Sequence, residues 1–553
     1  MNLRRNMLIP AAALVLLVSS CNYLDVSDQL AGGLQNTDEV FENVSYTKRW
    51  YASIFTGIPD YSGLNSTNVN GFKNPWASIC DELVTGYGNA SKYNNSDKNA
   101  TNVSFHRYGD CYKAIRQANI FLQKAHVITA GGTQGDELLE PELKRYQANA
   151  RFMRAFYHYL LFEQYGPIII VGDKVYEATE SQDMSRNSVD EVVEYLDKEL
   201  LASADELSQE PIIDENYRAE PTKGVALAVR AKMWVYAASP LLNGGFNEAL
   251  NIANPDGKKL FPIADAAKWE RARQACADFI NYANENNRYE LYYAAPEKNG
   301  VVNPEKSVYE LFQKYTKEII WATATADWGG LDGDAFDRRI VPRTEQNGLG
   351  STGVTQELVD AFYMNDGLPI RGTTYLPASP QYTEEGMSTY TETNVDPIKG
   401  GKEYTPVNVS NRFINREARF YNTVFFNGRQ WPVTCNTIQF YNGGNAGQQN
   451  GQYTQTGYML FKRFNRRISK TSPGVSSRYR PSIIFRLADF YLLYAEAANE
   501  VNPNDPVVLE YLNKVRHRAG LTTKIEELNP VIKGNKELQR AAIQRERQVE
   551  LAT

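Results

Sequence analysis

The chain has 553 residues, with 59 basic and 65 acidic side chains and a formal net charge of −6. That length usually divides into two or more domains, and the mild acidity argues against nucleic acid or an anionic surface as partner. Five scattered cysteines with no CxxC pair argue against a disulfide framework or a zinc cluster.

Residues 1–20 carry the three parts of a secretory signal: basic Arg4 and Arg5, an apolar run from Met7 to Val18, and small Ser19 and Ser20. The run is shorter than the roughly 20 residues a helix needs to cross a bilayer. Val18-Ser19-Ser20-Cys21 resembles a bacterial lipobox, which implies cleavage before Cys21 and acylation of its thiol. Each buried acyl methylene adds about 0.8 kcal/mol, so three chains hold a protein firmly. The alternative is a plain secretory signal with an incidental cysteine.

Amphipathic helices dominate the N-terminal half beyond Cys21. The first starts at an Asn36 or Thr37 cap and buries Val40, Phe41, Val44, Tyr51, Ile54 and Phe55; the second follows Tyr108. The strongest uses Met153, Phe156, Tyr157, Leu160 and Leu161 at helical spacing and stops at Gly166-Pro167. Ser188 and Glu191 form a capping box for the next. Thr222 to Ser239 and Trp269 to Ala283 pair, as do Phe485 to Glu500 and Val507 to Ala519, with Gly520 as a stop. Alanine-rich helix pairs predict tetratricopeptide-like stacking. From about Asn284 to Arg480, Tyr, Asn, Gly and Thr predict long ordered loops with short strands. The fold class is therefore mainly α: a scaffold of helix pairs with a loop-rich region packed on it. The expected divisions are the signal 1–20, an N-terminal helical region 21–240 and a C-terminal region 265–553.

Several stretches together resemble one family. They are Ala150 to Pro167 (ARFMRAFYHYLLFEQYGP), Lys223 to Lys232 with Tyr236 to Pro240, and Thr355 to Phe362 (TQELVDAF). Further on come Phe485 to Ala498 (FRLADFYLLYAEAA), Leu512 to Arg516 with Arg518 to Gly520, and Arg545 to Leu551 (RERQVEL). In this order, behind a lipobox, they resemble the SusD/RagB family of outer-membrane nutrient-binding lipoproteins. The resemblance implies no catalysis and no cofactor. It implies capture of oligosaccharide, or sometimes peptide, for a SusC-type TonB-dependent transporter, by a protein held at the cell exterior through lipid alone. Family members continue past the last motif, whereas this sequence stops at Thr553, leaving Val549 and Leu551 without later partners; a truncated C-terminus or a different ending is expected.

Sugar binding needs flat aromatic faces for C–H edges and polar groups for hydroxyls. Aromatics make up 12% of the chain. The candidates are Tyr87 and Tyr93 in the loop after Leu83 and Val84, Trp76 just before it, and Trp328 among glycines and acids; core packing or a partner contact is the competing role for each. Trp50, Trp234 and Trp269 lie on periodic helices and read as core. Metal chemistry finds little support: His106, His126, His158 and His517 form no ligand-spaced pair. Asp327, Asp332, Asp334 and Asp337 lack the EF-hand spacing for calcium and read as a solvated acidic loop. No GxSxG, P-loop or HExxH motif stands out. A lipid-anchored glycosidase remains as one alternative, since 65 acids allow a chance carboxylate pair. A pure helical-repeat interaction scaffold is the other.

Overall fold

The computed structural model describes residues 37–553 apart from 63–75, 86–98, 100–105, 130–136, 178–179, 181–182, 324–325, 327, 334–335, 346, 394, 397–401 and 449–451. Cys21 and the signal segment lie outside the described residues, as do Tyr87 and Tyr93. No helix among the described residues is long and apolar enough to cross a membrane.

The helices are α1 (Val44–Ser53), α2 (Tyr108–Lys124), α3 (Glu140–Tyr165), α4 (Val189–Glu206), α5 (Lys223–Ala238) and α6 (Ala267–Asn284). The loop-rich part contributes α7 (Pro304–Leu311), α8 (Gln356–Ala361) and α9 (Ala418–Thr423), and the C-terminal part α10 (Leu487–Val501), α11 (Val507–Arg518) and α12 (Lys536–Leu551). Packing runs serially from α2 through α6, then passes from α6 to α10 and on to α11 and α12. The chain between α6 and α10 leaves this array and packs on it. That is the expected mainly α scaffold of helix pairs, with one buried core running across the expected division at 240–265.

Local chemistry accounts for most boundaries. Ser188 and Glu191 cap α4 reciprocally, as their spacing predicted. Ser188→Ala should cost about 1 kcal/mol in a denaturation series; no measurable loss would mean the box adds nothing. α3 ends at Gly166, whose φ of +67° suits glycine, with Pro167 following. Two boundaries differ from expectation. The first helix breaks at Glu42, because Asn43 caps a new one by accepting the Tyr46 amide. Phe485 and Arg486 belong to a strand, not to the following helix, since the run Ser482–Arg486 finds an antiparallel partner at Ile319–Thr323.

The strands pair in twos: β1 (Leu83–Thr85) with β3 (Thr352–Val354), β2 (Ile319–Thr323) with β8 (Ser482–Arg486), β4 (Met387–Tyr390) with β5 (Val407–Ser410), and β6 (Val424–Phe426) with β7 (Tyr458–Leu460). All four pairs are antiparallel. β2 fixes the loop-rich part to the scaffold, as Trp321 meets Phe152 and Phe156 of α3 edge-on. Trp50 and Trp234 are buried, and Trp269 packs partly buried against the core. Cys80, Cys111, Cys276 and Cys435 are free thiols.

The C-terminal motifs converge on a buried charge cluster. Glu550 of α12 accepts from Arg486, Arg518 and Arg419. Glu318 accepts from Arg486 at 3.1 Å and Arg518 at 2.7 Å, while Arg419 also reaches Glu417 at 2.6 Å and Glu546 at 2.5 Å. Segments far apart in the chain thus meet through ions that are almost wholly withdrawn from water. Val549 is buried in the same packing of α12 on α10 and α11.

Candidate functional site

The loop face is built where β1 and β3 meet. Leu83 pairs with Val354 and Thr85 with Thr352, so the segment carrying Tyr87 and Tyr93 springs from the end of β1 where the 336–351 chain enters β3. Thr355 locks this corner twice. Its hydroxyl donates to the Asp81 carbonyl and accepts from the Leu358 amide, capping α8. Asp81 holds a φ of +61°, which turns the short helix Trp76–Ile79 into β1. The sequence motif TQELVDAF is thus a cap that pins the loop base.

Of the expected ligand residues, Trp76 and Trp328 are described, and the structure separates their roles. Trp76 is 40% exposed, with the Arg107 guanidinium 5.9 Å from its ring centroid. Arg107 itself is buried and faces Glu163 at 3.7 Å. Trp76 is thus half-exposed, with a cation beside its ring.

Trp328 does not line a pocket surface as expected. It is 4% exposed and lies in the core: its indole N–H donates to the Arg480 carbonyl at 2.7 Å, and Phe336 meets it edge-on. Arg480 and Arg463 flank the ring at 4.5 and 5.6 Å. The glycines that made it look unpacked instead let the backbone close over it. At Gly330, with φ +59°, a Cβ would come within 2.6 Å of the Ser476 carbonyl. The acidic loop is likewise not simply solvated. Asp337 is buried and accepts from Arg480 at 2.7 and 2.8 Å, and Asp332 pairs with Lys470. Asp327 and Asp334 lie outside the described residues. No group of three or more His, Cys, Asp or Glu side chains converges as a metal site among the described residues.

A chain of contacts runs from Trp328 toward the scaffold. Arg463, beside Trp328, donates to the Tyr61 carbonyl, and Asp60 accepts from Ser62 and from Ser482 at the start of β8. Burial, with Arg480 nearby, pushes Arg463 down to about 10, and burial with Arg486 nearby pushes Lys462 down to about 7. Burial of the Cys80 sulfur, with Glu82 beside it, pushes its thiol up to about 11.

The 430–458 segment completes the face. Glu345 accepts from Thr434 at 2.9 Å and Asn436 at 3.3 Å, Arg343 donates to the Gln452 carbonyl, and Tyr458 donates to Gln356 of α8. Tyr441 within this segment and Tyr479, just before β8, are 55% and 56% exposed. Sequence reasoning passed over both, because a tyrosine in a polar stretch carries no periodicity that tells a packed ring from an open one.

Comparisons place this architecture. Residues 317–553 match a family model described as "SusD family", and residues 52–235 match one described as "Starch-binding associating with outer membrane". Among solved structures, the chain is similar to one named BT4246, at 24% identity and a TM-score of 0.71, covering 92% of this chain and 87% of that one. A SusD-like protein (BF3747) from Bacteroides fragilis NCTC 9343 is 20% identical with a TM-score of 0.64, covering 95% and 86%. A SusD-like carbohydrate binding protein (BF0978) from the same organism is 17% identical with a TM-score of 0.64, covering 93% and 84%. No curated protein matches the chain. The two family models fall on the helical scaffold and on the loop-rich part with its charge cluster, and the chain belongs to the SusD/RagB family.

Proposed function

We propose that the loop face captures oligosaccharide at the outer membrane without cleaving it and delivers it to a SusC-type TonB-dependent transporter, the body being tethered by lipid on Cys21. The observation that carries the reading is Trp76: a half-exposed indole with a cation beside it, in the stretch of sequence that continues to Tyr87 and Tyr93. A flat apolar face beside amide and hydroxyl groups suits the C–H side and the hydroxyls of a pyranose. The family model matching 52–235, described by starch binding in association with the outer membrane, supports both ligand class and location. The shared fold of the carbohydrate binding protein from Bacteroides fragilis supports the ligand class as well.

Native electrophoresis against a panel of oligosaccharides and peptides tests it. Retarded mobility of the protein on a glycan, with glycan length unchanged, is the expected result; shorter products would indicate a glycosidase. Silence across the panel, with intact co-purification of the transporter, would leave only an interaction scaffold. Trp76→Ala should weaken glycan affinity about tenfold, equivalent to roughly 1.4 kcal/mol, and unchanged affinity would remove Trp76 from the site.

A further inference from the structure

Between Arg429 and Lys462 the sequence carries no charged side chain, although 22% of the chain is charged; asparagine, glutamine, glycine and threonine fill most of that run. Residues 437–448 within it fold into a tight turn whose base is tied to the core. Ile438 exchanges backbone hydrogen bonds with Gly428 and Arg429 at 2.8 and 2.9 Å, and the Phe440 amide donates to the Asn427 side chain at 2.9 Å. The Phe440 ring meets buried Phe425 of β6 edge-on.

The tip is held by its own amides. Asn445 accepts from the Gln439 N–H and donates to the Thr437 carbonyl, both at 2.8 Å. The Gly444 N–H donates to the Tyr441 carbonyl at 2.9 Å, and the Ala446 N–H to the Gln439 carbonyl at 2.9 Å. Glycine is required where this backbone closes. A Cβ on Gly447 would stand 2.1 Å from the Tyr441 carbonyl oxygen, and one on Gly444 2.7 Å from that of Gln439. Phe440 is thus packed while Tyr441, the next residue, stands more than half exposed on a turn with little freedom to move. Asn442 and Gln448 are exposed beside it, and Gln439 partly so. Among the described residues, none of these four side chains has a hydrogen bond, ion pair or ring contact.

An exposed ring is apolar area left in water, and a rigid support loses little entropy when a ligand covers it. Amide side chains each donate and accept, as sugar hydroxyls do. The turn holds no cation or anion to pair a carboxylate, sulfate or ammonium group. We propose that the 437–448 turn is a stacking platform for one uncharged sugar ring, Tyr441 taking its C–H face and the amides of Gln439, Asn442 and Gln448 its hydroxyls. As part of the proposed glycan capture, this subsite rests on that reading and narrows its ligand to uncharged sugars.

Affinity electrophoresis of the full chain decides it, in gels containing uncharged starch, xylan, galactomannan, dextran or β-glucan, and in gels containing acidic polygalacturonate or hyaluronan. Retardation by at least one uncharged polymer and by neither acidic one is expected, unchanged between about 0.05 and 0.5 M salt, because no charge pair is there to screen. Tyr441→Ala should weaken that binding about tenfold with an unchanged melting temperature, whereas Tyr441→Phe, which keeps the ring face, should bind as wild type does. Retardation by an acidic polymer at least as strong as by any uncharged one, full affinity in Tyr441→Ala, or equal losses in Tyr441→Ala and Tyr441→Phe would overturn the platform. If Trp76→Ala loses affinity and Tyr441→Ala does not, the platform fails while glycan capture stands; if no polymer retards the wild type, both fail.

Discussion

Glu550→Gln should lower the unfolding free energy by about 3–5 kcal/mol, the range for removing one partner of a buried ionic group. The substitution keeps the volume but leaves Arg419, Arg486 and Arg518 facing an uncharged amide in a site closed to water. Urea denaturation of the two proteins measures it, and a loss under about 1 kcal/mol would show that the remaining acids, Glu318 and Glu546, compensate. The same group sets a pH dependence. Burial works against its charge, but Arg518, Arg486 and Arg419 together outweigh burial and hold the carboxyl well below its ordinary 4.5. A carboxyl depressed in the folded state contributes its stability fully above the unfolded value and loses it as pH falls below that value. The wild-type protein should therefore destabilise progressively below about pH 4.5, and Glu550→Gln should show a shallower acid limb.

Trp328→Ala should cost about 3–5 kcal/mol, as expected for emptying a large buried aromatic site. It removes the ring between Phe336 and the two arginines and the bond to the Arg480 carbonyl, so Arg480 and Asp337 lose the surface they pack on. Trp76→Ala, at an exposed position, should stay within about 0.5 kcal/mol of wild type. Measured side by side, thermal melts should separate the two tryptophans, one failing in stability and the other only in ligand affinity. Equal stability losses would mean that Trp76 packs against structure as Trp328 does.

The helical scaffold was legible because its chemistry is local. The i, i+3, i+4 spacing in α3, the Ser188 box and the Gly166-Pro167 stop each act within a few residues, and each forms as read. Strand β8 was not, because Phe485 and Arg486 continue a helical pattern that only the distant partner Ile319–Thr323 overrides. The charge cluster was equally hidden: Glu318, Arg419 and Glu550 are scattered acids and bases until the fold excludes water from all of them at once.

The candidate site divides along the same line. The sequence determined the family, the mainly α architecture and the segment where a flat aromatic would stand, since motifs and amphipathic periodicity survive in one dimension. It also marked Cys21 as the expected point of attachment. Tertiary structure alone decided that Trp328 is core and Trp76 is surface, because exposure depends on what other segments cover a ring. The 469–480 turn closes over Trp328, whereas Trp76 beside Arg107 stays 40% exposed.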